Sequence, residues 1–168
     1  MRIAVTGTPG TGKTTAVDAV DTDLEVIHLN EVIRNEGLVD GLDEQRDTTI
    51  ADLQAVQTWL EGRTDLLVES HLAHHLDVDR VVVLRCHPRE IERRLRKRGE
   101  SDESAKENAE SEALDIVLSE AVERHGTDTV YEIETTERSP TAVAREIQAV
   151  ISGERDPSAG TVSYLEYL

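Results

Sequence analysis

Phenylalanine is absent from the chain, and cysteine and lysine are nearly so. The 168 residues include one cysteine, Cys86, and three lysines. A single cysteine excludes an internal disulfide and any metal site built on cysteine pairs. No apolar run approaches the roughly 20 residues that span a membrane, and only six residues precede the first glycine, too few for a signal peptide. We therefore expect a soluble, cytoplasmic protein without membrane contact.

Positive charge is also scarce. Lysine and arginine total 18 against 35 aspartate and glutamate residues, which gives a formal net charge of −17. This balance excludes a broad surface for direct nucleic-acid binding. An acidic, lysine-poor surface is typical of proteins from salt-saturated cytoplasm, where the Debye length falls to about 3 Å and carboxylates barely repel one another. We interpret the charge as halophilic adaptation rather than as a sign of the partner.

The chain length fits a single domain, residues 1–152, with an irregular tail over 153–168. Five apolar segments read as strands: Met1–Thr6, Leu24–Leu29, Asp65–Glu69, Arg80–Arg85 and Thr129–Ile133. They alternate with predicted helices at Lys13–Val20, Asn30–Glu36, Thr48–Leu60, Pro88–Arg98, Ser104–His125 and Pro140–Ile151, and with loops at Val39–Asp47 and Glu100–Glu103. This alternation predicts an α/β fold, a parallel sheet with helices on both faces.

A phosphate-binding loop follows the first predicted strand. Gly7–Thr14 matches GxxxxGK[ST] without a gap, and it stands between a strand and a helix, as the motif requires. Gly10 and Gly12 allow backbone turns closed to other residues and let amides approach phosphate oxygens. A dinucleotide site is disfavoured because no third glycine follows Gly12 at the required spacing.

Side chains at the end of this loop predict ATP and Mg²⁺ as ligands. Lys13 is expected to reach the β and γ phosphates, and the Thr14 hydroxyl is expected to bind Mg²⁺. Thr15 is placed to meet the α phosphate. A P-loop alone leaves kinases, GTPases and mechanical ATPases open.

A basic cluster precedes Gly99 in a chain that otherwise avoids positive charge. Its members are Arg93, Arg94, Arg96, Lys97 and Arg98. Arg94 and Arg98 share a helix face at i and i+4, where they can clamp a phosphoryl group in transfer. The alternative is a solvated helix face that balances Glu90 and Glu92. The position before a glycine favours a lid hinge.

Three further positions are candidates for the acceptor and for catalysis. Arg34 follows the second strand and is a candidate for the acceptor phosphate, although a surface role fits equally well. Glu69 and His71 end the third strand, where a carboxylate can hold a water on Mg²⁺ and an imidazole can position a water. Metal binding by His71, His74 and His75 is not expected, because HxxHH lacks the spacing of a zinc helix.

The ordered combination of motifs resembles one known family. The segments are GTPGTGKT, Arg34-x5-Asp40-Gly41-x-Asp43-Glu44, Val68-Glu69-Ser70-His71, Val83-Leu84-Arg85, Arg94-Leu95-x2-Arg98-Gly99 and Glu107-Asn108-x3-Glu112. They resemble the small nuclear-type adenylate kinases, the group of the human coilin-interacting nuclear ATPase protein and its archaeal relatives. The resemblance runs from about residue 3 to residue 151, and the composition suggests a haloarchaeal member.

The resemblance implies a nucleoside-monophosphate (NMP) kinase fold with an acceptor-binding insert at about 28–51 and a short lid at about 97–107. It implies ATP and AMP as substrates, other NMPs as further acceptors, and ATPase activity. It also implies late maturation of the small ribosomal subunit and its rRNA through a ribosomal protein of the platform.

The resemblance also assigns residue roles. ATP would be bound by Gly10, Gly12, Lys13, Thr14, Thr15 and Arg98. Arg34 would hold the acceptor phosphate, and His71 matches the family histidine tied to ATPase function. Arg94, from the basic cluster, is a further candidate for substrate binding. Lys13, Arg98, His71 and Glu69 would be catalytic, with Glu69 standing where the family usually has aspartate.

Two departures affect the lid, where Glu100 replaces an aromatic residue and Ser104 a basic one. Two alternatives to an NMP kinase stay open. One is a mainly ATP-hydrolysing ribosome assembly factor, and the other is a small-metabolite kinase of the shikimate type.

Overall fold

The computed structural model describes residues 1–44 and 48–168. The strands are β1 (Arg2–Thr6), β2 (Glu25–His28), β3 (Val39–Asp43), β4 (Thr48–Ala51), β5 (Leu66–Glu69), β6 (Arg80–Arg85) and β7 (Val130–Glu134). The helices are α1 (Lys13–Asp18), α2 (Leu29–Glu36), α3 (Leu53–Leu60), α4 (Pro88–Lys97), α5 (Asp102–Ala113), α6 (Ile116–His125) and α7 (Pro140–Ser152). No helix in these two ranges is both long and apolar enough to cross a membrane.

The main sheet has five parallel strands in the order β2-β5-β1-β6-β7. Alternate residues of a strand belong to opposite apolar clusters. Ala4 packs with α2, α3 and α6, whereas Ile3 and Val5 pack with α1 and α7. Burial of both faces explains why the strands are continuously apolar. The predicted five-stranded sheet with helices on both faces is confirmed.

Strand register brings the polar strand ends together. Val5 of β1 and His28 of β2 both pair with Glu69 of β5. The carboxyl ends of these strands therefore meet at one edge of the sheet, directly beside the loop that leaves β1. In open parallel sheets this edge forms the ligand crevice.

The segment after α2 differs from the prediction. We expected a loop over Val39–Asp47 and a helix over Thr48–Leu60, but β3 and β4 form an antiparallel hairpin. The helix prediction is wrong over Thr48–Ala51 because β-branched residues there favour a strand. Helix α3 begins only after Asp52, whose carboxylate accepts a hydrogen bond from the Ala55 amide at 3.0 Å. Positions 45–47 of the predicted loop lie outside the described residues.

The predicted helix Ser104–His125 is two helices. Helix α5 starts earlier, after Ser101, whose hydroxyl accepts a hydrogen bond from the Ser104 amide at 3.1 Å. It ends at Ala113, and Asp115 adopts a left-handed conformation with φ of 56°. The Asp115 carboxylate contacts Arg85 at 2.5 Å. This tertiary contact explains a break that helix periodicity does not reveal.

Arg85, at the end of β6, is almost fully buried. Among the described residues, three carboxylates contact it. Its guanidinium contacts Glu112 of α5 at 2.7 Å, Glu132 of β7 at 2.6 Å and Asp115. Burial opposes its charge, but Glu112 and Asp115 outweigh burial and raise the pKa of Arg85. The guanidinium thus joins β6, β7, α5 and the residue that precedes α6.

The segment 153–168 packs on the same region of the domain. Glu132 accepts hydrogen bonds from the amide and the hydroxyl of Thr161 at 2.6 and 2.8 Å. Tyr164 is 7% exposed and its hydroxyl donates to Glu134, and the Tyr167 hydroxyl donates to Glu92 at 2.7 Å. Apart from a short helical turn at Leu165–Tyr167, this segment has no regular structure.

Replacement of Arg85 should destabilise the protein strongly. Arg85→Met leaves buried carboxylates without their cation, which costs about 3–5 kcal/mol in the free energy of unfolding. Arg93→Met is the matched control, because Arg93 is exposed and its replacement should leave the free energy of unfolding nearly unchanged. Urea denaturation in molar KCl measures both. Similar losses in the two variants would contradict a central role for Arg85.

Candidate active site

A cleft of about 1270 Å³ lies at the carboxyl edge of the sheet. The described residues that line it include most of the predicted site residues: Gly10, Gly12, Lys13, Thr14, Thr15, Glu69, His71 and Arg98. Helix α2 contributes Asn30, strand β4 contributes Thr49, and Glu100 and Ser104 come from the turn after α4 and the first turn of α5. Arg34 and Arg94 are not among the described residues that line it. The structure thus brings the P-loop, the end of β5, α2, β4 and the start of α5 to one cavity.

The P-loop backbone is held from behind by buried hydrogen bonds. The Thr8 hydroxyl donates to Glu112 at 2.6 Å, and the Thr135 hydroxyl donates to the Thr11 carbonyl at 2.9 Å. Gly10 and Gly12 have φ of 95° and 90°, a region that strains residues with a Cβ. These features give the loop a fixed shape in which its amides can meet phosphate oxygens.

Lys13 lies within the P-loop at 8% exposure. Its ammonium donates to the carbonyls of Gly7 at 2.9 Å and Thr8 at 3.1 Å. Because an ammonium has three protons, a third donation remains for a phosphate oxygen. Burial lowers the pKa of Lys13 to about 8, although Glu69 opposes this shift. The charge on which phosphate binding depends is therefore lost at moderately alkaline pH.

Glu69 lies between Thr14 and His28. Its carboxylate accepts a hydrogen bond from the Thr14 hydroxyl at 3.2 Å and contacts His28 Nδ1 at 2.8 Å. His28 Nε2 contacts Asp18 at 3.0 Å. Partial burial opposes protonation of His28, but Glu69 and Asp18 outweigh it and raise the pKa of His28 above 6.5. Sequence reasoning missed His28, although its position at the end of the second strand was a usable signal.

His71 is a neutral imidazole in this cleft. Burial, followed by the nearby charge of Lys13, lowers the pKa of His71 to about 4. A neutral imidazole can accept a proton, so His71 has the form required to orient a water molecule.

The three candidate arginines occupy different places. Arg98 is the residue directly after α4, lines the cleft and pairs with Glu100 at 3.2 Å. Arg94 donates from Nη1 to the Gly10 carbonyl of the P-loop at 3.2 Å and from Nε to Glu90 at 3.0 Å, as in the alternative in which the basic cluster balances nearby carboxylates. Arg34 is exposed on the last turn of α2. Contact of Arg34 and Arg94 with the acceptor stays a prediction.

Comparison with known proteins adds the family. Residues 3–115 match the AAA domain family. A Natronomonas pharaonis protein named "Putative adenylate kinase" is 64% identical over 168 residues, with both chains fully covered. A Halobacterium salinarum protein of the same name is 61% identical over 169 residues, also with full coverage of both. The chain therefore belongs to the AAA domain family and, within it, to the same family as these two archaeal proteins.

Solved structures with low sequence identity support the fold of this family member. A shikimate kinase from Bacteroides thetaiotaomicron has a TM-score of 0.52 at 15% identity, covering 90% of this chain and 98% of that one. A sulfotransferase from Alicyclobacillus acidocaldarius has a TM-score of 0.58 at 11% identity, covering 98% and 86%. The kinase-like P-loop fold expected from the sequence is confirmed.

ATP affinity should fall as pH rises above about 8. Above this pH, Lys13 loses its proton in the free protein. Bound phosphate favours the charged form, so ATP binding must then take up a proton. The dissociation constant for ATP should therefore rise about tenfold per pH unit. Lys13→Arg is the control because arginine stays charged, and its affinity should show no inflection near pH 8. Calorimetric titration from about pH 7 to pH 10 measures both. A flat wild-type profile would contradict the assignment.

Proposed function

We propose that this chain is an NMP kinase of the adenylate kinase type, which transfers the γ-phosphoryl group of ATP to AMP or another NMP. The observation that carries the proposal is the shared cleft. One wall is the P-loop, and the insert residues Asn30 and Thr49 line the same space. At about 1270 Å³ it exceeds the roughly 300–1,000 Å³ of a site for one small molecule. A donor and an acceptor therefore fit together.

The side chains around the cleft suit phosphoryl transfer. Lys13 and Arg98 supply positive charge where negative charge develops on the transferred group. The Thr14 hydroxyl and the Glu69 carboxylate lie 3.2 Å apart, and hard oxygen atoms are the ligands that Mg²⁺ prefers. Thr14 would bind the ion directly and Glu69 through water, and the bound ion would neutralise charge on the β and γ phosphates.

Product analysis tests the proposal. The purified protein is incubated in molar KCl with ATP, Mg²⁺ and each of AMP, CMP, UMP and GMP, and the nucleotides are separated by chromatography. We expect nucleoside diphosphate to form at the expense of both substrates. Lys13→Ala should lower the rate by about 100-fold or more while circular dichroism stays unchanged. A variant that keeps the full rate would refute the P-loop assignment.

Arg34→Ala should separate the two substrates. If Arg34 binds the acceptor phosphate, its loss removes a charge-assisted hydrogen bond of about 1.5–3 kcal/mol, so KM for AMP should rise about tenfold or more. KM for ATP should change little. Arg145→Ala, on the exposed face of α7, is the matched control and should leave both constants unchanged. Equal increases for AMP and ATP would argue against an acceptor role.

The second candidate is an ATP-hydrolysing factor in small-subunit maturation, the role that the resemblance implies. The observation in its favour is that His71 lines the same cleft as Lys13. Burial lowers the pKa of His71, and a neutral imidazole at this place is suited to position a hydrolytic water. The same product analysis separates the candidates. Phosphate release that is indifferent to every NMP would identify an ATPase and direct the search to a ribosomal protein of the platform.

A further inference from the structure

A second group of candidate ligands lies apart from the Mg²⁺ residues. His74 and His75 follow β5 in a short helical turn, and Glu120 projects from α6. Glu120 Oε2 lies 2.7 Å from His74 Nε2 and 3.5 Å from His75 Nε2. One possible ligand atom from each residue, a ring nitrogen or a carboxylate oxygen, lies within 4.8 Å of the other two. Among the described residues, this is the group of three that meets this distance.

Metal binding by these histidines was not expected from the sequence. Their HxxHH spacing is not that of a zinc helix, and no second cluster along the chain completes it. The structure supplies Glu120 from 46 positions beyond His74, through the packing of α6 against the turn after β5. Spacing within one segment does not reveal a ligand that another helix supplies.

His74 is held in an orientation that suits a metal ligand. Its side chain is 1% exposed and its Nδ1 lies 2.7 Å from the Thr6 hydroxyl. If Nδ1–H donates to Thr6, the lone pair of Nε2 points at Glu120. Metal-binding histidines usually donate their second ring nitrogen in this way, which fixes the tautomer. Thr6 is the residue before the P-loop and is itself fully buried, so this support is rigid.

The ligand set indicates the class of ion. Two imidazoles and one carboxylate form a zinc-type set in which a fourth position stays open. Ligands of a tetrahedral zinc ion stand roughly 3.3 Å apart, as its bond lengths of about 2.0–2.1 Å require. The distance of 3.5 Å between His75 Nε2 and Glu120 Oε2 already fits this value. The distance of 2.7 Å between His74 Nε2 and Glu120 Oε2 must increase by roughly 0.6 Å when the ion binds. Magnesium prefers oxygen ligands, so it should not compete here.

We propose that His74, His75 and Glu120 bind one divalent ion of the zinc class, with the fourth position open to water in the cleft. All three residues line the same cavity as the P-loop, so the ion would stand in the wall of the nucleotide cleft. The simpler alternative is a hydrogen-bonded group, in which His74 Nε2–H donates to Glu120 and Thr6 donates to Nδ1.

Zinc binding is measured by calorimetry on the full chain without nucleotide, because nucleotides bind zinc themselves. We expect one ion per chain, and at least tenfold weaker binding in His75→Ala and in Glu120→Gln. Both side chains are partly exposed, at 34% and 43%, so these variants should fold. Glutamine can still accept the hydrogen bond but loses the charge. His87→Asn is the matched control, since it removes an imidazole outside the group and asparagine can still cap α4.

Cobalt gives a signature that hydrogen bonding alone cannot produce. In the wild type and in His87→Asn, bound Co²⁺ should show the intense visible absorption of a four-coordinate ion, and Glu120→Gln should lose it. Zinc should also raise the melting temperature of the wild type and not that of Glu120→Gln. Wild-type binding no tighter than in Glu120→Gln, or cobalt spectra like those of the hydrated ion, would overturn the proposal and leave the hydrogen-bonded group. Neither outcome bears on phosphoryl transfer.

Discussion

The guanidinium of Arg85 is the contact on which the other parts of the structure depend. One cation cannot neutralise Glu112, Glu132 and Asp115, and a buried surplus of negative charge is costly unless donors satisfy it. Other segments of the chain supply these donors. The Thr8 hydroxyl and the Cys86 amide donate hydrogen bonds to Glu112, and the Thr161 amide donates one to Glu132. A charge centre in the core therefore fixes the P-loop, helix α5 and the carboxyl-terminal segment relative to one another.

This arrangement separates a buried side of the cleft from an exposed side. The P-loop rests on buried groups such as Glu112 and Thr135, and its lysine lies among backbone carbonyls. The other walls are built differently. Arg98 and Glu100 pair with each other near the surface, and Thr49, which lines the cleft from the hairpin, is exposed. The P-loop side of the cleft is therefore held by buried contacts, whereas the side chains opposite it lie near the surface.

The sequence predicted what depends on local pattern. Five apolar runs between turn residues predicted the five strands of the sheet. The unbroken P-loop motif predicted that Lys13 and Thr14 lie in the cleft at the end of β1. The errors arise where distant residues decide the outcome. The break at Asp115 exists because Arg85 takes its carboxylate, and His28 reaches Glu69 only through strand register. Glu120 meets His74 through helix packing, which no spacing along the chain reveals. The hairpin was a local error, since its β-branched residues were visible in the sequence.

The anchoring of Thr8 and Thr11 has a thermodynamic consequence. A loop that is already ordered loses little conformational entropy when a ligand arrives, so most of its hydrogen-bond enthalpy remains as affinity. Association of a phosphate group with this loop should then resemble docking to a rigid receptor, with only a small loss of conformational entropy.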